Sequence, residues 1–542
     1  MDTAALDAKL QRLAEQTAAW TAKSIAQRIE YLEALIQGTL AVADRQVRAA
    51  CKAKGVEYGS GPGAEDYFGG PVVQIRTMRL LKQSLESLQA HGRIDLPKNA
   101  ISTRPDGTVV AQVFPTDLVD SLLLAGFEAE IWMEDGVTEN NLTDHQGAIY
   151  RTRASDGGVA LVLGAGNVAS IGPLDVVHKL FVENQVCLLK FNPVNDYTGP
   201  FFEEAFAPLI REGFVQTAYG GADVGAYLCQ HDGVDDIHVT GSDKTHDAIV
   251  FGTGEDGAAR KAANQPINAK TITSELGNVS GVIVVPGSWT DKALRFQAEN
   301  IASQLANNNG FNCNAIKVLI LKDDWPQKRE FLDMIRAVLA TLPRRPAYYP
   351  GAETRYDKVV QQHPKAEAIG HRSDGVLPYT IIAEVDANNP DEICFREESF
   401  CGVFAQTSLG GANTPDYLDR AVAFCNDTLW GTLNVSIIVD PRTENRFSSE
   451  IDDAISRLNF GTVSINHWAS LGYGLGCTAW GAFPGHEATD IQSGSGKVHN
   501  TYLFERAQKN VIRGPFVVFP KPPWFVTHGR SQQVGRRIAD LE

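Results

Sequence analysis

The sequence predicts an α/β protein built on parallel sheet and divided into more than one domain. Three observations predict it. From residue 158 onward, apolar strand-like runs alternate with amphipathic helical runs, the pattern of βαβ units. Two turns, "GAGNVA" (Gly164–Ala169) and "VTGS" (Val239–Ser242), each close a strand and open a helix. The chain has 542 residues, more than one core usually organises, so two or three domains are expected.

The elements follow in order. Leu6, Leu10 and Leu13, then Ile25, Ile29, Leu32, Leu35 and Ile36, have the spacing of amphipathic helices. "GVEYGSGPGAEDYFGG" is a Gly-rich break, and "QIRTMRLLKQSLESLQA" a further helix. Between about 95 and 155 the pattern turns strand-like, in "GTVVAQVF" and "EAEIWME". "GVALVLGAG" then reads as a buried strand and "IGPLDVVHKLFVEN" as a helix. "QVCLLKFNP" and "TGPFFEEAFAPLIREG" repeat the pair, and "VDDIHVTGS" leads into a helix through "DKTHDAIVFGTG". After "SGVIVVPGSW" a second α/β stretch runs to about 460, with the helix "TDKALRFQAENIASQLA" and the strand "AIKVLILK". The Pro-rich, aromatic tail "RGPFVVFPKPPWFVTHGR" is expected to pack on another part of the molecule or on a partner subunit.

Hydrophobic residues make up 43% and charged ones 21%, as in a soluble globular protein. A net charge of −16 argues against general nucleic-acid binding, which needs clustered Lys and Arg. No run of about 18 apolar residues predicts a membrane span. The N-terminus is acidic and helical rather than a signal peptide, so a cytoplasmic location is expected. The eight cysteines show no CxxC pair and no Cys/His group with zinc spacing, so neither a metal site nor a disulfide framework is expected. Cys313, in "NNNGFNCNA", has the most polar neighbours of the eight. Uncharged amides and Gly310 favour a turn and add no negative charge that would raise the thiol pKa. For residues 307–309 a plain loop is the alternative.

"GAGNVA" fits the dinucleotide fingerprint, with Glu183 near the place of a ribose-binding acid, and "VTGS" competes with it for a pyrophosphate. The wider order of motifs decides between them. Asn167 in "GNVAS", Lys190 in "LLKFNP", "VTGS", Glu275 in "SELGN", Cys313 in "NNNGFNC" and Glu398 and Phe400 in "FREESFCGV" follow one another, then Asn466 in "GTVSIN". This series resembles the NAD(P)-dependent aldehyde dehydrogenase superfamily over roughly residues 158–500. The resemblance implies a Rossmann-like cofactor domain, an α/β catalytic domain and a small β oligomerisation element. It implies domains at 1–283 (cofactor, with an oligomerisation insertion at about 105–155) and 284–460 (catalytic). A return to the cofactor and substrate channel at 461–500 and an oligomerisation tail at 501–542 complete the chain. It also implies that Thr240, Gly241 and Ser242 lie against cofactor phosphates, that Lys190 and Glu398 touch ribose hydroxyls, and that Phe400 lies near the nicotinamide. "GAGNVA" is then a false fingerprint whose working residue is Asn167.

The residue types suit the chemistry. A thiolate adding to an aldehyde makes a thiohemiacetal whose oxyanion can expel hydride, and Cys is the natural nucleophile. The resemblance makes Cys313 that nucleophile, the Asn167 amide and the Cys313 N–H the oxyanion donors, and Glu275 the base for thioester hydrolysis. Val168, Asn466, His467 and Trp468 fall where the family lines its substrate channel. The chain departs from the family at Asn278, where a second Gly is usual, and at Cys401–Val403. Val176 stands where the family has a lysine, with Lys179 one turn on. Pro193 replaces an acid that would repel the phosphate of NADP, so the cofactor expectation is NADP or NAD, leaning to NADP. The expected function is oxidation of an aldehyde to its acid by a homodimer or homotetramer. The alternatives are a CoA-acylating enzyme, which usually lacks the glutamate, and a nucleotide-binding protein without turnover.

Overall fold

The computed structural model describes residues 1–151 and 157–542, so positions 152–155 of the expected insertion lie outside the described residues. Two sheets organise the chain. The smaller has six strands, in the order Gly494–Ser495, Thr271–Leu276, Asp236–Gly241, Val159–Leu163, Val186–Lys190 and Val215–Ala218. All neighbours are parallel except the first pair. Its central strands are nearly continuous apolar runs because helices cover both faces. The N-terminal helices Thr3–Thr21 and Ile25–Lys54 belong to this core through Leu6, Leu10, Leu13, Leu32 and Leu35. The Trp20 indole N–H reaches across to the Leu180 carbonyl at 3.1 Å.

The larger sheet has eleven strands. Its order is Ile101–Thr103, Val109–Phe114, Glu128–Met133, Ala507–Arg513, Thr462–Ile465, Asn434–Ile438, Ser280–Val284, Ile316–Lys322, Val403–Leu409, Tyr379–Val385 and Glu367–Ile369. The strands from Ala507–Arg513 to Tyr379–Val385 run parallel, and antiparallel strands extend both ends. The strand-like stretch at 105–155 thus joins the large sheet through the C-terminal strand.

The chain first leaves the small sheet at Gly277–Val279. The boundary expected at 283 therefore falls inside the strand Ser280–Val284, which lies in the middle of the large sheet. Residues 461–500 run back, from Thr462–Ile465 in one sheet to Gly494–Ser495 in the other. The Gly-rich break contains a helix, Gly61–Tyr67, because Ser60 caps it and Pro62 suits its first turn. A π-helical turn, Phe68–Val72, joins it to the helix Val73–His91. The tail ends in a helix, Ser531–Leu541, that packs against Gly61–Tyr67 of the same chain.

Candidate active site

The site is built on strand ends. The helix Asp291–Ala306 runs into a tight turn, Asn307–Gly310, just before Cys313. Asn308, Asn309 and Gly310 have φ of 49°, 55° and 82°. Asn tolerates this left-handed region better than other residues with a side chain. At Gly310 a Cβ would also lie 2.6 Å from the Cys401 carbonyl carbon, so only glycine fits.

Asn308 does more than turn the chain. Its amide nitrogen donates to the Asn167 carbonyl at 2.9 Å and to the Phe311 carbonyl at 3.2 Å, and its Oδ1 accepts from the Tyr348 hydroxyl at 2.9 Å. Its backbone N–H donates to Glu65 Oε2 at 2.8 Å. Arg345 grips that Glu65 carboxylate with both nitrogens, at 2.6 and 2.7 Å. The asparagines therefore fasten the Cys313 turn to the Asn167 turn and to an N-terminal helix.

A cavity of about 950 Å³ gathers Asn167, Lys190, Thr240, Gly241, Ser242, Glu275, Cys313, Glu398 and Phe400 along its walls. Lys190 ends the strand Val186–Lys190, and Ser242 caps the helix Asp243–Val250 by accepting from the Thr245 N–H at 3.2 Å. Glu398 can approach the Glu275 strand because the next turn carries Gly277, where a Cβ would sit 2.2 Å from Glu398 Oε2. Asn278, the departure after Gly277, ties this crossover to the large sheet by donating to the Asn434 carbonyl at 2.8 Å.

Glu275 is buried and lies against the Cys313 thiol. Burial pushes its carboxyl up to about 7; the Cys313 thiol and the Trp480 indole oppose the rise, and Glu398 adds to it. Burial, with Glu275 and Glu398 nearby, pushes the Cys313 thiol well above its ordinary value, while Lys317 pulls it down. The thiol thus holds its proton beside a carboxylate that can take it. Burial also raises Glu398 to about 7, against the pull of Lys317, which stands 4.0 Å away. One Asn167 amide N–H donates to the Phe311 carbonyl at 3.0 Å, and a second remains for another acceptor.

Four expected residues do not line this cavity. Val168 is half-buried against Gly69. Asn466, at φ 67°, accepts from the Val439 N–H at 2.8 Å and packs inside the large sheet. His467 meets the Pro515 carbonyl at 2.9 Å and packs at a tilt against Phe127, ring centroids 4.5 Å apart. Trp468 donates to the Asn314 carbonyl at 2.6 Å. They fasten the C-terminal segment and the back of the Cys313 turn, where the polar atoms of a buried chain reversal need partners. Glu183, the acid that a dinucleotide reading of "GAGNVA" would use, pairs with Lys179 at 2.6 Å and lines a different recess. Elsewhere, His363 Nε2 lies 3.1 Å from Glu392 Oε1, with Cys394 beside them. His363 lies 29 residues before Glu392, so spacing gave no sign of the group; a hydrogen bond between the imidazole and the carboxylate accounts for the contact.

The cavity walls suit a ligand bearing hydroxyls and phosphate. The Lys190 ammonium makes no hydrogen bond or ion pair among the described residues, and Glu398 Oε1 is buried without a hydrogen-bond partner, with only the Lys317 ammonium 4.0 Å away. Above Gly225 a Cβ would meet nothing within 4 Å, and the Asp243–Val250 helix presents its N-terminus to the same space.

Fold and site together define an α/β protein with a thiol and a buried carboxyl meeting where its two sheets adjoin. The aldehyde dehydrogenase family model matches residues 175–477, and the chain belongs to that family. No curated protein matches it. Solved structures share its fold. The NADP-dependent glyceraldehyde-3-phosphate dehydrogenase of Bacillus halodurans, complexed with NADP, is 16% identical over 93% of this chain and 90% of its own, at a TM-score of 0.61. An aldehyde dehydrogenase C variant from Pseudomonas syringae, in complex with NAD+ and octanal, is 16% identical over 95% and 89%, at 0.61. The aldehyde dehydrogenase KauB of Pseudomonas aeruginosa is 17% identical over 94% and 89%, at 0.62.

Proposed function

We propose that this protein oxidises an aldehyde to its carboxylic acid with a nicotinamide dinucleotide. The observation that carries the reading is the meeting of Cys313, Glu275 and Asn167, from three distant parts of the chain, in a cavity whose walls also hold Lys190 and Glu398. Glu275 takes the Cys313 proton, and the sulfur adds to the aldehyde carbon. The oxyanion of the thiohemiacetal is held by the second Asn167 N–H and the Cys313 N–H; one such donor lowers a barrier by about 3–4 kcal/mol. A bound nicotinamide supplies the acceptor for the hydride. Once Glu275 has released that proton to solvent its carboxylate deprotonates water, hydroxide adds to the thioester, and the sulfur leaves as thiolate. The buried carboxyl beside the sulfur favours water over coenzyme A as the acyl acceptor.

Lys190 and Glu398 are read as ribose ligands, and the 240–242 turn as the phosphate seat. The absence of an acid at Pro193 leans the choice to NADP, and the field of Asp223 at Lys190 weighs towards NAD. The small-sheet half would bind the cofactor and the large-sheet half would carry the thiol. A homodimer or homotetramer is read from the helix Leu118–Leu123, whose Leu118 and Leu122 are 81% and 80% exposed. Eight free cysteines fit a reducing compartment such as the cytoplasm. Among the described residues no helix is long and apolar enough to cross a membrane.

The test is NAD(P)H absorbance across short, long and aromatic aldehydes with each cofactor, on wild type and Cys313→Ala. Wild type should reduce at least one cofactor and the variant none. Equal rates in the two would end the reading.

A further inference from the structure

Outside the main cavity, three side chains with metal-binding chemistry meet in the large-sheet half. They are His363, Glu392 and Cys394, and one ligand atom from each lies within 4.8 Å of the other two. Glu392 and Cys394 are buried, and the His363 side chain is 15% exposed. The group sits where two segments join. His363 follows the helix Ala352–Gln362, and Glu392 caps the short helix Ile393–Arg396, which contains Cys394. The hydrogen bond between imidazole and carboxylate accounts for two of these residues, and it needs no sulfur. Cys394 belongs to the apolar core, where an alanine or valine would pack without setting a thiol against a carboxylate.

Backbone groups already aim two of the three. His363 Nδ1 lies 2.8 Å from the Val359 carbonyl. A carbonyl only accepts, so Nδ1 carries a hydrogen. Nε2 is then the nitrogen turned to Glu392, 3.1 Å from Oε1 and 3.3 Å from Oε2. Glu392 Oε1 accepts from the Cys394 N–H at 2.9 Å, which holds the carboxylate in place. Outer partners of this kind orient metal ligands: a ring N–H on a backbone carbonyl fixes the tautomer that offers the other nitrogen's lone pair. Burial pushes the Cys394 thiol up, and Glu392 adds to the rise. Such a sulfur is inert by itself, and a bound cation is what draws off its proton.

We infer that His363 Nε2, the Glu392 carboxylate and Cys394 Sγ bind one zinc ion, with water as the fourth ligand. The donor set selects the metal: thiolate and imidazole suit zinc, while magnesium and calcium take oxygen ligands. Tetrahedral zinc, with bonds of about 2.0–2.3 Å, holds its ligand atoms roughly 3.3–3.8 Å apart, so side-chain shifts of about 1 Å complete the site. Binding involves no redox change. The thiol proton goes to solvent as the sulfur–zinc bond forms, and so does any proton that Nε2 shares with the carboxylate. One doubly charged cation, one thiolate and one carboxylate sum to zero, which suits groups this buried. The role is structural. The helix Ala352–Gln362 lines the main cavity with Lys358 and Val359, and the chain from Ile393 lines it with Ile393 and Glu398. The ion clamps these two segments together behind the Glu398 wall and touches no reacting atom. None of this depends on the aldehyde reading.

The experiment uses the full chain, stripped of metal with a chelator, and cobalt(II) as the probe. Among the eight cysteines only Cys313 is not buried, so a Cys313→Ala background keeps its sulfur from taking the probe. A thiolate ligand gives cobalt(II) a charge-transfer band in the near ultraviolet, and four-coordination gives it intense visible bands. One equivalent of cobalt should produce both, and zinc(II) should displace it and abolish them. Cys394→Ser should lose the charge-transfer band. His363→Ala should weaken cobalt binding by at least about tenfold, the least that a lost ligand costs. Zinc should raise the thermal midpoint of the background protein and leave that of Cys394→Ser unchanged. Absence of the charge-transfer band overturns the inference, as does its survival in Cys394→Ser. Should Cys394→Ser not fold, His363→Ala, at the partly exposed edge of the group, decides: cobalt affinity within twofold of the background counts against the site. If no aldehyde yields NAD(P)H but the cobalt pattern holds, the aldehyde reading falls and the zinc site stands. If aldehydes turn over and cobalt gives no band, the zinc site falls alone.

Discussion

Two buried helices meet the reacting centre, and they are polar in different ways. The helix Asp291–Ala306, which delivers the Cys313 turn, buries Gln297, Asn300, Ser303 and Gln304. These are neutral and mutually bonded: Asn300 donates to Gln297 Oε1 at 2.9 Å, and Gln297 donates to the Phe516 carbonyl at 2.8 Å. The helix Ile171–Phe181, behind Glu275, buries Asp175, His178 and Lys179, all ionisable. Amides fix geometry whatever the pH. Acids and imidazoles can change state; where the helix Asp291–Ala306 does bury an acid, Glu299, it is paired with Arg295 at 2.9 Å and with Lys521 at 2.5 Å.

That contrast can be broken or sharpened, starting with the largest effect. Cys313→Ser should lower steady-state aldehyde oxidation by at least about 1,000-fold, because the nucleophile has no substitute; residual turnover near wild type would detach the amide helix from the chemistry. Lys179→Met leaves the carboxylates of Glu183 and Asp236 without their cation and should cost about 3–5 kcal/mol in urea unfolding. Asn300→Leu, on the amide helix, strips partners from Gln297 and from the Asn466 carbonyl and should cost about 1–3 kcal/mol. Its activity per folded molecule should change less than that of Lys179→Met.

The pH dependence should also separate the two helices. Burial raises the Glu183 carboxyl, but His178 and Lys179 outweigh it and hold it below its ordinary range. Its contribution to stability is therefore present above about pH 4.3 and is lost as the pH falls below that. Burial lowers Lys179, but Glu183 and Asp236 outweigh it, so its contribution is present below about pH 10.4 and fades above it. Thermal melts of Lys179→Met should lose the alkaline limb and weaken the acid one, where His178 still holds Glu183. Turnover should rise through about pH 7 as Glu275 ionises, and Glu275→Gln should flatten that limb. The smallest effect is expected at Asp223: Asp223→Ser should improve kcat/KM for NADP relative to NAD by about 5- to 20-fold, from removing one negative charge near Lys190.

The sequence exposes what is local. Apolar runs at 159–163 and 186–190 marked buried parallel strands, and Leu6, Leu10 and Leu13 marked the first helix, because burial sets those periods directly. The helix Gly61–Tyr67 was hidden because three glycines and a proline mask a serine cap. The helix Ser531–Leu541 follows a Pro-rich stretch that reads as irregular. The cavity residues emerged from the order of motifs. The work of Asn308 and the hydrogen bond from Thr240 to Asp175 did not, since each depends on partners tens to hundreds of residues away. The inward hydrogen bonds of Asn466 and His467 were not legible for the same reason: position in the chain does not give the direction of a side chain, which depends on the turn around it.

The grip of Arg345 on Glu65, and of Glu65 on the Asn308 N–H, has a practical meaning for anyone trimming this gene. Residue 65 lies more than a hundred positions ahead of the stretch that matches the family. A fragment cut at the limits of that match would contain the reactive sulfur but lack the anchor that seats its loop. Such a truncation would be expected to produce a folded-looking but idle fragment, and adding back residues 1–174 would be the first remedy to try.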